Sequence, residues 1–205
     1  AGSGIVILAI VYAALGYRGK RGERYSLLNH FISELGETGV ARRAWAFNGG
    51  LILGGLLLLP FIVKLGIALG SVPGWIGTVF GVVAALGVTA VGFFPMNNLK
   101  SHTWAAMTFF RAGLGMVLVL GLAILFQPAG RIVIPKAVSL LSLLATIAFA
   151  SFLALPRLKK PEADPVDTLD PEIIPERPRF WALPFLEWLV FFATIFWLFG
   201  MAFFV

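Results

Sequence analysis

Residues 45–69 read WAFNGGLILGGLLLLPFIVKLGIAL, a stretch interrupted by a single charge, Lys64. As an α-helix rising 1.5 Å per residue it measures about 37 Å, more than the roughly 30 Å of a bilayer's hydrocarbon core. No water reaches that core, so each backbone amide must find its partner within the segment, and a helix is the form that allows it. Working outward, polar breaks leave further apolar segments at 5–17, 73–94, 102–126, 133–155 and 181–205. Six such segments predict an all-α, polytopic membrane protein: a six-transmembrane-helix bundle forming one domain over 1–205.

Composition supports this. Of the 205 residues 59% are hydrophobic and 13% charged, with mean hydropathy +0.92. A soluble domain of this size has no interior large enough for that apolar surface. Cysteine is absent, which excludes disulfides, thiol catalysis and Cys-ligated zinc or iron–sulfur centres. The net charge of +6 would suggest nucleic acid in a soluble chain, but here the basic residues lie between hydrophobic spans, so no nucleic-acid partner is expected.

Their distribution is one-sided. Loops after spans one, three and five carry Arg18, Lys20, Arg21, Arg24, Arg42, Arg43, Lys100, Arg157, Lys159, Lys160, Arg177 and Arg179, against Lys64, Arg131 and Lys136 on the other side. The positive-inside rule then places the basic loops in the cytoplasm and both termini outside, in what reads as a prokaryotic cell membrane. Span one is expected to be retained, because its positive charge follows the apolar stretch, whereas a signal peptide carries it before. Residues 156–180 hold five of the prolines between Pro161 and Pro178 among many charges, the composition of an extended, solvated loop. Small-residue pairs such as Gly50/Gly54 and Gly77/Gly81 predict close helix packing.

The groups able to carry chemistry gather at the basic end. In residues 25–35, YSLLNHFISEL, an apolar face of Leu28, Phe31, Ile32 and Leu35 at helical spacing opposes a polar stripe of His30, Ser33, Glu34 and Glu37. This predicts a short amphipathic interfacial helix between spans one and two. Arg111 and Glu187 fall inside spans four and six at similar depth, and an ionised side chain in hydrocarbon calls for a partner, so they are expected to pair. Asn48, Asn97 and His102 add polar groups on the same side. Together His30, Ser33, Glu34, Asn48, Asn97, His102, Arg111 and Glu187 form the candidate pocket. His30, Glu34 and His102 are also candidate metal ligands, although no HExxH motif is present. No cofactor follows from any motif, since nucleotide-binding and nucleophile-elbow signatures are missing.

Residues 29–36, NHFISELG, followed by FNGGL at 47–51, resemble the Frag/DRAM/Sfk superfamily, closest to its prokaryotic six-span branch of unknown function. GFFP at 92–95 with His102 resembles that branch's second signature, and the match is concentrated in 29–110. The resemblance implies a six-helix bundle with its signature residues at one membrane face. Eukaryotic relatives are associated with lipid handling, including GPI-anchor lipid remodelling, phosphoinositide-kinase recruitment and autophagy control.

Three functions remain open. The first is a binding protein whose one-sided polar pocket takes a lipid headgroup or small amphiphile, membrane lipids being its partners. The second is a lipid-modifying enzyme, metal-dependent through His30, Glu34 and His102. The third is a small-solute transporter, disfavoured because the outer half of the bundle has almost no ionisable groups.

Overall fold

The computed structural model describes residues 1–158 and 177–205, so most of the proline-rich loop expected at 156–180 lies outside the described residues. The helices are α1 (Gly2–Leu15), α2 (Ala44–Leu69), α3 (Val72–Phe93), α4 (Leu99–Leu125), α5 (Ser139–Leu158) and α6 (Ala182–Ala202). No strand forms among the described residues.

Helices α2 to α6 are each long and apolar enough to cross a membrane, which marks the chain as an integral membrane protein. Helix α1 has 14 residues and measures about 21 Å. Five helices, not the expected six, therefore reach spanning length. The chain leaves α1 at Gly16 and turns Tyr17 into the protein, where it is 1% exposed.

The interfacial helix expected over 25–35 is also corrected. The chain makes turns there and then a 3-10 turn, Ile32–Gly36. The Phe31 and Ile32 amides, which an α-helix would bond to carbonyls four residues back, instead donate to the Glu34 and Glu187 carboxylates at 2.9 and 2.6 Å. Side-chain acceptors thus outcompete the helical ladder.

Local chemistry fixes the other ends. Gly70 closes α2 with φ +54°, a left-handed conformation that suits glycine. Ser71 then caps α3 by accepting the Gly74 N–H at 3.2 Å, and Asn98 caps α4 through Ser101 N–H at 3.3 Å.

Helices adjacent in sequence pack side by side. The glycine pairs work as expected: Gly50 and Gly54 press against Ala9 and Val6 of α1, and Gly77 against Leu120 of α4. One apolar core joins α2, α4, α5 and α6. A second, at the basic end, joins α1, the 3-10 turn and α2 to Trp188 of α6, so α6 packs against both ends of the chain's helix order.

Candidate functional site

The expected pocket residues separate into two assemblies at the basic end, with three of the eight lying elsewhere. The inner assembly heads a cavity of about 130 Å³. Along α6 the cavity is lined by Glu187, Val190, Phe191, Thr194, Ile195 and Leu198, spaced i, i+3, i+4, i+7, i+8, i+11 and so on one helical face. From Glu187 to Leu198 that face runs about 16 Å. Ser3, Val6 and Ile10 of α1 face it, as do His102, Ala106 and Phe110 of α4. Nearly all the lining is apolar. Ser33, His102 and Glu187 supply the polar atoms at the basic end, and Ser3 and Thr194 add hydroxyls deeper down.

These polar groups are held from outside the cavity. Glu187 accepts the Ile32 N–H through Oε2, and part of its surface stays open toward the space it lines. Ring nitrogen Nδ1 of His102 lies 2.8 Å from the Phe94 carbonyl. Ser33 reaches only Met96 Sδ, at 3.4 Å. The Oγ1 of Thr194 is buried with no hydrogen-bond partner among the described residues.

The outer assembly is a polar latch in which Glu34, 4% exposed, is the hub. Arg177 donates to both its oxygens, at 3.0 and 2.6 Å, while Tyr17 O–H and Phe31 N–H donate at 3.3 and 2.9 Å. A third Arg177 bond reaches the Asn29 carbonyl at 3.1 Å, and its Nε lies 3.7 Å from Glu23. Two bonds sew the 28–29 segment to 178–181: Asn29 Nδ2 to the Pro178 carbonyl, and Trp181 N–H to the Leu28 carbonyl, both 2.8 Å.

His30 sits inside the latch, 2% exposed, against the Tyr17 and Tyr25 rings. His30 Nδ1 lies 2.7 Å from Asn29 Oδ1 and 3.3 Å from the Ser26 N–H, which donates to it, while Nε2 has no hydrogen-bond partner among the described residues and faces Glu23 Oε1 at 3.8 Å. Burial, then the Arg177 charge, holds the imidazole below its usual pKa. Burial and Glu34 push Tyr17 up, and burial with Glu187 pushes Tyr25 up, so both phenols stay protonated. Burial opposes ionisation of Glu23, but backbone N–H groups and Arg177 hold its carboxyl below the usual range.

The remaining expectations fare differently. Asn97 clamps Thr38, its Oδ1 taking the Thr38 N–H and O–H at 2.8 and 2.7 Å, and Asn48 donates to the Gly36 carbonyl at 3.1 Å. Asn97 thus joins two loops, and Asn48 ties the end of the 3-10 turn to α2. Arg111 does not meet Glu187: it is exposed on α4, on a stripe with Trp104, Leu118 and Leu125, and does not line the cavity. No carboxylate pairs with it among the described residues, and its flexible stem lets the guanidinium reach outward. The metal set does not assemble either, because His30 and Glu34 belong to the latch while His102 faces the cavity. Among the described residues no group of three or more His, Asp or Glu is placed to hold a metal ion.

Arg177 was counted in the sequence only as loop charge. Its pairing spans 143 positions, and no local spacing signals a contact of that range.

Five helices of spanning length define a polytopic membrane protein, with an apolar cavity opening beside its polar end. Over residues 1–204 the chain matches the family described as protein of unknown function (DUF998), and it belongs to that family. No curated protein and no solved structure matches it.

Proposed function

We propose that this chain is a membrane-embedded binding protein for an amphiphile, whose apolar chain lies along α6 and whose polar head meets Ser33, His102 and Glu187. The observation that carries this reading is the shape and chemistry of the cavity: a long apolar lining with its ionisable groups at one end. An alkyl chain gains about 0.8 kcal/mol per methylene buried when it leaves water, and less when it leaves lipid, so head recognition sets selectivity. The resemblance to the lipid-handling Frag/DRAM/Sfk superfamily points the same way. With the basic loops cytoplasmic and both termini outside, in a prokaryotic cell membrane, the head would face the inner leaflet.

The test is photolabelling of the detergent-purified chain with a diazirine-bearing hexanol, a chain short enough for a cavity of about 130 Å³, followed by mapping of the adducts. Adducts on Val190, Phe191 or Leu198, lost when Val88→Phe fills the cavity, are the expected result. Adducts confined to outward residues such as Leu8 and Phe196, in wild type and variant alike, would overturn the reading.

A further inference from the structure

The atoms at the head of the cavity specify more than an amphiphile. Building on the amphiphile reading above, we infer that the site selects a head that donates hydrogen bonds, a hydroxyl or an ammonium, and rejects carboxylate, sulfate or phosphate heads.

The argument is an inventory of acceptors and donors. Glu187 brings a carboxyl group whose one protein partner among the described residues is the Ile32 N–H, and it has no cation beside it among them. His102 brings a second acceptor. Its Nδ1 lies against the Phe94 carbonyl, which can only accept, so the proton of the neutral ring sits on Nδ1 and the Nε2 lone pair is left over. His102 itself lines the cavity, and Ser33 alone there can act as donor or acceptor, held only by the weak contact to Met96.

Among the described residues no lysine or arginine lines the cavity. Arg111, the cation expected there, faces outward, and Arg177 is committed to Glu34. An anionic head would be enclosed with no counter-charge among the described lining residues, an arrangement that low-dielectric surroundings penalise. A hydroxyl satisfies one acceptor, and an ammonium satisfies both with charge-assisted bonds.

Three heads on one chain length test this: hexylamine, hexanol and hexyl sulfate, each competing with the photoprobe for the purified chain at neutral pH. The amine and alcohol are expected to displace the probe from α6 at concentrations lower than the sulfate by about tenfold or more. Glu187→Gln keeps an oxygen for the Ile32 N–H, and it should erase the amine's advantage over the alcohol. If that variant fails to fold, the wild-type ratio decides alone. Sulfate competing as well as the amine overturns the head preference and leaves the amphiphile reading standing. Absence of any adduct inside the cavity overturns both.

Discussion

Replacing Arg177 with Ala should remove about 2 kcal/mol of stability, a figure bracketed by two limits. Breaking a fully buried ion pair from one side costs about 3–5 kcal/mol because a charge is left stranded, whereas exposed pairs contribute less than about 1 kcal/mol. Arg177 and Glu34 fall between, with side-chain exposures of 32% and 5%. Glu34 also keeps the Phe31 amide and the Tyr17 hydroxyl after Arg177 is lost, which lowers the penalty toward the middle of the range. Arg177→Lys should recover only part of the loss, since a point charge cannot reproduce two parallel bonds. Denaturant unfolding in mixed micelles measures these differences. A cycle with Glu34→Gln should return a coupling of about 1–2 kcal/mol between the two residues. An Arg177→Ala protein within about 0.5 kcal/mol of wild type would refute the latch as a stabilising element.

Acidification should weaken the fold in two steps. The folded pKa of His30 lies below its ordinary 6.5, so the unfolded chain takes up the proton first; stability is complete above about 6.5 and falls as pH drops through that region. Arg177 faces His30 against this proton, Glu34 and Glu23 face it in favour, and His30→Gln should flatten the slope. Glu23, lowered from its usual 4.5, adds a second loss below about that pH. Gly92→Val should cost at least about 1–3 kcal/mol, because its Cβ would lie 2.5 Å from the Asn48 carbonyl and 2.7 Å from Ile52, prying α3 from α2; thermal melts check this. Gln127→Ala should cost roughly 2–4 kcal/mol, since the amide serves the carbonyls of Ile124 and Ile134 and the N–H groups of Val133 and Ile134; the same melts report it. Arg111→Leu should leave stability and photolabelling unchanged within about 0.5 kcal/mol, as expected for a side chain outside the cavity.

The spanning helices were legible because hydrophobic length is a local property, and residues 45–69 already show it. The polar end was legible as a location for the same reason: Glu187, His102 and Ser33 needed only an up-and-down chain to meet there. The pairings were not legible. Arg111 and Glu187 share a depth, but depth says nothing about azimuth; the seven-residue spacing of Trp104, Arg111, Leu118 and Leu125 held the correction, since it sets the arginine on a face of large apolar side chains. The helical rhythm of residues 25–35 misled because period measures which side chains align, not where the amides bond. There two carboxylates, one of them 155 positions away, take the amides.

Those two amides belong to consecutive residues, and they point to different compartments. Phe31 donates outward to Glu34 and so to the arginine latch, while Ile32 donates inward to the carboxylate that heads the chamber. The two N–H groups lie in successive peptide planes hinged at the Phe31 Cα, so the φ and ψ of that one residue set how the latch and the head of the cavity are aimed relative to each other. Amide exchange at residues 31 and 32 would therefore report on the latch and on the head of the cavity separately.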